Sequence, residues 1–230
     1  MKPINTIPED HISAAGQLYS AFAATVVLAI ICCVLYPLTV WAVAQVAFPN
    51  QSNGSLVDKA GAATTDPAQA VGSRWIGQQF TSAKYFHPRP SAAGAGYDGA
   101  ASSGTNLGPL SDKLLNGIHG SKNQDGTPNP AADFDGIKDL AVAYRTTNGL
   151  AADATVPADA VTWSGSGLDP HISPANATLQ IARVAKARGL AEADVRTLVE
   201  QATEQPFAGL IGEKSVNVMV LNLSLDAKTK

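Results

Sequence analysis

A charge-free stretch near the N-terminus constrains this 230-residue chain more than any other feature of its sequence. No Lys, Arg, Asp or Glu occurs between His11 and Val57, and residues 21–48 are apolar almost throughout. About 20 apolar residues in a helix cross the hydrocarbon core of a bilayer, whereas a surface helix of a soluble protein shows a polar face. We therefore predict one transmembrane helix over residues 21–48, preceded by a short N-terminal tail over residues 1–20.

Pro37 lies inside this predicted span. Proline cannot donate a backbone hydrogen bond and its ring crowds the carbonyl of Cys33, so we expect a kink there rather than a break. A cleaved signal peptide is the alternative, because Ala42, Val43 and Ala44 form the small-residue pattern of a cleavage site. The apolar run before them is longer than the roughly 7–15 residues of a signal peptide, which favours an uncleaved anchor.

The rest of the chain has the composition of a soluble domain. Residues 49–70 are small and polar and are predicted to form a linker, and residues 71–230 are predicted to form the soluble C-terminal domain. The formal net charge of the whole chain is −3, and no basic cluster offers a surface for nucleic acid. Both cysteines, Cys32 and Cys33, lie in the span, so the domain has no disulfide.

Local signals place two helices in the last third of the chain. Ser173 followed by Pro174 is typical of a helix N-terminus, and Gly189 is typical of a helix C-terminus. After Gly189, apolar residues at i, i+3, i+4 and i+7 predict a second amphipathic helix; these are Val195, Leu198, Val199 and Ala202.

Other segments carry weaker signals. Residues 160–163 are predicted to form a short strand, and alternating apolar residues over 216–225 predict another, with a parity shift at Leu221 that a bulge or a fully buried strand would explain. Residues 110–118 are predicted to form a short helix. The Gly-rich, Ala-rich and Ser-rich residues 91–109 are predicted to form a loop. The fold class that follows is α+β: a single N-terminal transmembrane helix and a small mixed α+β soluble domain.

The sequence contains partial matches to catalytic motifs, but the segments around them do not have the secondary structure that these motifs require. Residues 94–99 match G-x-G-x-x-G, but neither a strand before them nor a helix after them is predicted, so we interpret them as loop. No phosphate-binding G-x-x-x-x-G-K-[ST] run occurs. The histidines are scattered, and none is paired with another ligand at the spacing of a metal site, so no metal is predicted; they are His11, His87, His119 and His171.

Ser166, Asp169 and His171 have the residue types of a catalytic triad, but the G-x-S-x-G nucleophile pattern is absent. One short turn would also have to bring all three together. We interpret Asp169 and Ser173 as residues that hydrogen-bond the local backbone, as turn and cap residues do. No catalytic residue is predicted.

Four blocks of sequence occur in a fixed order. They are GSRWIGQQF and YFHPRPSA within residues 72–92, SGTNLGP at 103–109, VTWSGSGLDPHISPANATLQIARVAKARGL at 161–190, and VNVMVLNLSLD at 216–226. With the single span, this order resembles the KdpC family, which belongs to the Kdp potassium-transporting ATPase. The family has a charged, arginine-bearing helix between the positions of Pro109 and Val156. Here residues 120–135 are rich in Gly, Asn, Asp and Pro, and residues 136–150 are predicted to be extra sequence.

The resemblance implies a non-catalytic accessory subunit of a high-affinity, ATP-driven potassium uptake complex in the bacterial inner membrane. A protein of this kind supports assembly and acts as a catalytic chaperone for the P-type ATPase subunit. Its implied partners are that subunit, a channel-like potassium-translocating subunit, a small membrane subunit and the lipid bilayer. The implied position of its soluble domain is periplasmic. ATP and potassium would be handled by the partner subunits with no intrinsic cofactor here, because ATP is cytosolic and the domain has no phosphate-binding loop.

The resemblance also implies two sets of site residues. The candidates for a partner interface are Asn106, Leu107, Gly108, Ser164, Gly165, Ser166, Gly167, Leu168, Asp169, Pro170, His171 and Ile172. The structural motif residues are Tyr85, Phe86, Arg89, Pro90, Ser91, Ser173, Pro174, Asn217 and Asn222.

Leu168, His171 and Ile172 separate two interpretations of residues 164–174. An interface loop would expose these side chains, which we expect, whereas an internal turn would bury them.

Two other functions fit a membrane-anchored domain. A periplasmic small-ligand-binding or chaperone domain would contain a closed apolar pocket with convergent polar groups. An anchored hydrolase would place Ser166 beside a free histidine.

Overall fold

A computed structural model of the chain describes residues 13–228. The chain divides into two compact units, and the boundary lies between Asn53 and Gly54. The first unit contains one long apolar helix, and the second is a smaller mixed domain of helices and short strands. The predicted fold class is therefore confirmed.

The apolar helix is continuous from Ala14 to Ala47, with a mean hydropathy of 2.5 in its most apolar window, and it is long and apolar enough to cross a membrane. It consists of α1 (Ala14–Ile30), a π-helical turn (Ile31–Leu35) and α2 (Tyr36–Ala47). It begins earlier than the predicted residue 21 because the Ser13 hydroxyl caps α1, accepting a hydrogen bond from the Gly16 N–H at 3.2 Å.

The π-helical turn lies immediately before Pro37, where a disturbance of the helix was predicted. Proline has no N–H to donate, and its ring excludes the normal position of the carbonyl four residues earlier. The wider turn accommodates both effects, and the Tyr36 N–H donates to the Ile31 carbonyl five residues back. The disturbance therefore takes the form of one wide turn within a continuous helix.

The soluble unit begins earlier in the sequence than predicted, at Gly54 rather than at residue 71. A single helical turn, α3 (Pro49–Ser52), follows α2. Strand β1 (Leu56–Val57) then pairs antiparallel with β2 (Gly72–Ser73), and Ser55 and Val57 are buried. The structure thus differs from the predicted linker over residues 49–70, because its later part is held in the domain by a strand pairing that no periodic pattern marks.

A three-stranded antiparallel sheet organises the rest of the domain, with strand order β3 (His171–Ile172), β5 (Ser215–Asn217) and β4 (Thr203–Glu204). Helices α7 (Pro174–Arg188), α8 (Glu192–Gln201) and α9 (Val218–Lys228) pack with it around one core. The largest fully buried side chains of that core include Phe86, Ile172, Ile181, Leu221 and Leu225.

The two helices predicted in the last third of the chain, α7 and α8, are confirmed. The Ser173 hydroxyl accepts from the Asn176 N–H at 3.0 Å, and Pro174 is the first residue of α7. Gly189 ends the helix with φ of 66°, a left-handed conformation that glycine adopts without steric cost. Helix α8 follows and buries Val195, Leu198 and Val199, as their spacing predicted.

The strand predicted after residue 216 is wrong beyond Asn217, where α9 begins. Val218, Leu221 and Leu225 lie at i, i+3 and i+7 and are all buried, so the shift in parity marks the start of a helix. The Asn217 side chain caps this helix by accepting from the Val220 N–H at 3.0 Å.

The predicted strand at residues 160–163 is also wrong. Residues 158–161 form a single helical turn, α6 (Ala158–Val161). Four residues are too few to distinguish a helical period from alternation. The turn is held in place by Asp159, whose carboxylate accepts hydrogen bonds from the Ser173 N–H at 2.7 Å and the Asn176 side chain at 2.9 Å.

The region between Pro109 and Val156 contains two α-helices. Helix α4 (Asp112–Asn116) lies within the predicted helical segment. The residues predicted to be extra sequence contain a 12-residue helix, α5 (Ile137–Asn148), which carries Arg145. The sequence analysis did not predict α5 because its overall hydrophobicity is low, since only one face of the helix packs against the domain. Within residues 91–109, no helix or strand is present, as predicted.

Candidate functional site

Five charged or titratable side chains from four segments form a continuous chain of contacts on one surface of the soluble domain, with an arginine–carboxylate ion pair at each end. Arg89 contacts Asp169 at 3.0 Å, and Asp169 contacts His171 at 3.6 Å. His171 contacts Glu204 at 3.5 Å, and Glu204 contacts Arg74 at 2.8 Å. His171 therefore lies between two carboxylates, and each carboxylate also has an arginine partner. We call this set the ion-pair chain.

The electrostatics of the ion-pair chain favour an ionised Asp169. Partial burial alone would raise the pKa of this carboxyl group. Hydrogen bonds from His171 and Arg89, with the positive charge of Arg89, outweigh that effect and hold the pKa of Asp169 below its ordinary value. The carboxylate is thus a stable structural anion that fixes the turn containing it.

Residues 164–174 form a tightly hydrogen-bonded loop. The Ser164 hydroxyl accepts from the Asp169 N–H at 3.3 Å, and the Ser166 hydroxyl accepts from the Leu168 N–H at 3.1 Å. Asp169 accepts from the His171 N–H at 2.9 Å, which is a local turn contact. The described hydrogen bonds of the Ser166 hydroxyl are thus made to Leu168 and Ser164. The Asp169 side chain thus hydrogen-bonds the local backbone, as interpreted from the sequence, and so does the Ser166 hydroxyl, whereas the His171 side chain contacts two carboxylates.

Two glycines allow neighbouring segments to approach this loop. The Gly77 N–H donates to the Leu168 carbonyl at 2.7 Å, and a Cβ on Gly77 would lie 2.8 Å from the Asp169 carbonyl oxygen. Gly167 has φ of +69°, and a Cβ there would lie 2.5 Å from the Ser103 carbonyl oxygen. These contacts join the first and third sequence blocks and place the second block against them.

The burial of this loop corrects one prediction. Leu168 is 7% exposed and Ile172 is 2% exposed, so both side chains pack inside the domain. The His171 side chain retains 17% exposure. Leu168 and Ile172 therefore belong to an internal turn and do not form an exposed interface. Ile172 is buried because it lies in β3, which pairs with β5 and turns this side chain toward the core.

The remaining interface candidates divide by exposure. Gly165 and Ser166 are exposed, as are Asn106 and Gly108, whereas Leu107 is half-buried. Ser164, Gly167 and Pro170 are buried. The loop containing Asn106 is attached to the site through Ser102, whose hydroxyl donates to the Ser166 carbonyl at 2.9 Å.

Trp75 and Ile76 are functional candidates that the sequence reasoning missed. Trp75 is 54% exposed and Ile76 is 41% exposed, and the Trp75 ring lies 5.9 Å from the His171 ring between centroids. They line a depression, open to solvent, together with Gly99, Ser102 and residues of the 164–170 loop. The sequence feature that could have identified them is an aromatic residue, Trp75, next to Arg74 in a short segment without helical or strand periodicity. An open depression is not the closed pocket expected of a small-ligand-binding domain.

The structural motif residues hold the segments that form the site. Asn222 and Phe86 are paired through two hydrogen bonds in the core, and Asn217 donates to the Arg74 carbonyl at 2.8 Å. The Ser91 hydroxyl donates to the Gly167 carbonyl at 2.6 Å.

The other motif residues extend this support. The Pro90 carbonyl accepts from the Ser164 N–H at 2.9 Å, and the Tyr85 hydroxyl donates to the Asp226 carboxylate at 3.1 Å. Burial and this hydrogen bond raise the pKa of the Tyr85 hydroxyl.

One cluster of potential metal ligands lies elsewhere and was not visible in the sequence spacing. Ligand atoms of His119, Asp135 and Asp139 lie within 4.8 Å of one another. Asp139 is engaged at the start of α5, where it accepts from the Gly136 N–H at 2.8 Å and contacts His119 at 3.0 Å. These hydrogen bonds hold the pKa of Asp139 low and give Asp139 a structural role as a capping residue of α5.

The chain is similar in sequence to one family of known proteins. The family model described as KdpC, K+-transporting ATPase, c chain, matches residues 18–227. A potassium-transporting ATPase KdpC subunit of Mycobacterium bovis (strain BCG / Pasteur 1173P2) is 48% identical over 210 residues, which cover 91% of this chain and 97% of the relative. A protein of the same name from Caulobacter vibrioides (strain NA1000 / CB15N) is 49% identical over 193 residues, 84% of each chain.

Proposed function

The chain belongs to the KdpC family of potassium-transporting ATPase subunits, and from this premise we propose that it is the non-catalytic accessory subunit of a potassium uptake complex. Its helix anchors it in the bacterial inner membrane, and its soluble domain lies on the periplasmic side. There the domain docks on a channel-like potassium-translocating subunit. The docked domain supports assembly with the P-type ATPase subunit and a small membrane subunit.

The observation that carries this proposal is the exposed pair Trp75 and Ile76 on a rigid base. Aromatic and branched apolar side chains on an open surface are typical anchors of protein interfaces. The ion-pair chain and the close approach at Gly77 hold the backbone beneath them. A surface that is ordered before docking loses little conformational entropy when the partner binds.

The described contacts also favour a binding role over hydrolysis. The Ser166 hydroxyl is used in loop hydrogen bonds, and His171 lies between Asp169 and Glu204. We infer that any effect on ATP use by the P-type subunit is indirect and passes through the assembled complex. In this proposal potassium and ATP are bound by the partner subunits.

Co-purification from native membranes tests the proposal. The tagged full chain is expected to recover the P-type ATPase subunit of the complex. The double variant Trp75→Ala, Ile76→Ser is expected to reduce that recovery several-fold while the thermal unfolding temperature stays close to that of the wild type. Val142→Ala is the matched control, because Val142 is 62% exposed on α5 and is not among the residues that line the depression.

Two results would contradict the proposal. Failure of the wild-type chain to recover the ATPase subunit would exclude an accessory role in that complex. Equal recovery by the wild type and the Trp75, Ile76 variant would show that docking uses another surface.

A further inference from the structure

The turn that joins β4 to β5 exposes three large apolar side chains. Phe207 is 77% exposed, Leu210 is 87% exposed and Ile211 is 69% exposed. Residues 206–212, which we call the apolar tip, contain no charged side chain. Single exposed apolar residues are common on soluble proteins, but a cluster with this exposure marks a surface that contacts a protein or a membrane.

The apolar tip has an ordered backbone. The Phe207 N–H donates to the Ile211 carbonyl at 2.8 Å, and the Ile211 N–H donates back to the Phe207 carbonyl at 3.1 Å. Between them, Ala208 has φ of +51° and Gly209 has φ of +73°. The left-handed conformation is unfavourable for alanine, so Ala208 is a strained residue within this turn. The result is a short hydrogen-bonded turn that carries all three apolar side chains.

The base of the apolar tip is connected to the beginning of the soluble unit through one residue. The Arg74 N–H donates to the Ser55 carbonyl at 3.0 Å. The Arg74 guanidinium contacts the Glu204 carboxylate at 2.8 Å. Glu204 ends β4, three residues before Phe207. The tip therefore emerges from the part of the domain at which the chain arrives from the apolar helix.

The covalent path from that helix is short. The helix ends at Ala47 and the soluble unit begins at Gly54, so only residues 48–53 separate them. At about 3.5 Å per residue, six residues span at most roughly 20 Å even when fully extended. This covalent path limits the distance between the end of the helix and the first residues of the soluble unit.

We propose that the apolar tip inserts into the lipid–water interface of this bilayer. Exposed Phe, Leu and Ile side chains without neighbouring charges enter the boundary between headgroups and acyl chains readily. The short tether keeps the local concentration of bilayer high, so a few apolar side chains suffice for binding. This proposal rests on the helix and the tip alone and does not depend on the docking of Trp75.

Spin-label accessibility in the full chain tests the proposal. Cys32 and Cys33 are first replaced by alanine, and a nitroxide is attached at Leu210→Cys in the chain reconstituted into phospholipid nanodiscs. Collisions with oxygen, which concentrates in lipid, are compared with collisions with a water-soluble nickel chelate. The label at residue 210 is expected to be more accessible to oxygen than to nickel. The matched control is Val142→Cys, an exposed apolar position on α5, where the label is expected to be more accessible to nickel.

Two outcomes would overturn the proposal. In the first, the label at residue 210 is as accessible to nickel as the label at residue 142, which places the tip in water. In the second, the tip label is accessible to nickel in the isolated chain but shielded from both reagents in the purified complex, which identifies a partner protein as the occupant. Because the isolated chain carries the test, its result is independent of whether the Trp75 surface docks a partner.

Discussion

The side chain of Asn222 pairs with both backbone groups of Phe86, a residue 136 positions earlier in the chain. The Phe86 N–H donates to the Asn222 amide oxygen at 2.9 Å, and the Asn222 amide N–H donates to the Phe86 carbonyl at 3.0 Å. Both residues are at most 1% exposed. The asparagine thus takes the place of a strand partner and attaches an otherwise irregular segment to α9.

Asn222→Ala is expected to destabilise the soluble domain by about 2–4 kcal/mol, because two buried backbone groups lose the hydrogen bonds that the asparagine makes to them. Denaturant unfolding monitored by tryptophan fluorescence measures the change. Asn116→Ala is the control, since Asn116 is exposed and its loss should cost well under about 1 kcal/mol. A similar stability for the two variants would show that the pairing with Phe86 contributes little.

Gly167→Ala is expected to destabilise the domain by at least about 2 kcal/mol. The residue has φ of +69° and its new Cβ would lie 2.5 Å from the Ser103 carbonyl oxygen, so strain and a steric clash add. Gly165→Ala lies two residues away in the same loop, where a Cβ meets nothing within 4 Å. Thermal unfolding of both variants makes the comparison. Equal melting temperatures would contradict the close approach of the two loops.

Asp169→Asn is expected to lose stability at neutral pH and to approach the wild type in acid. The pKa of Asp169 is lower in the folded domain than in the unfolded chain, so its ionised form stabilises the fold at every pH above the unfolded value of about 3.9. That contribution disappears as the pH falls through the folded pKa. Urea unfolding of both proteins at pH 7, 4 and 3 should show a difference that shrinks steadily. A difference independent of pH would mean that the charge of Asp169 is not what stabilises the loop.

A reporter fused after Lys230 is expected to show the soluble domain on the periplasmic side. Alkaline phosphatase, which requires the periplasm for activity, should be active in this fusion, whereas a green fluorescent protein that folds only in the cytosol should stay dark. The expectation rests on the proposed periplasmic position of the domain, because a helix that spans the membrane over residues 14–47 requires only that the segments before and after it lie on opposite sides. The reverse pattern would place the domain in the cytosol.

The local signals in the sequence predicted α7 and α8 well because their end residues act within one turn. Ser173 and Gly189 need only their immediate neighbours to start and stop α7. Helix α9 was missed because its leucines also alternate, and a run of alternating apolar residues fits a buried strand equally well. The capping role of Asn217 was the one local signal that could have separated the two.

The sequence alone determined the apolar helix and the ends of α7, because a run without charges and a capped turn each depend on adjacent residues. The sequence blocks also identified the family. Only the tertiary structure decided the site, since β3 and β4 bring His171 and Glu204 together by pairing with β5, and Arg74 and Arg89 reach the site from segments far away in the chain. The burial of Leu168 and Ile172 was likewise decided there, because the direction of a side chain in a short irregular loop depends on what the loop packs against.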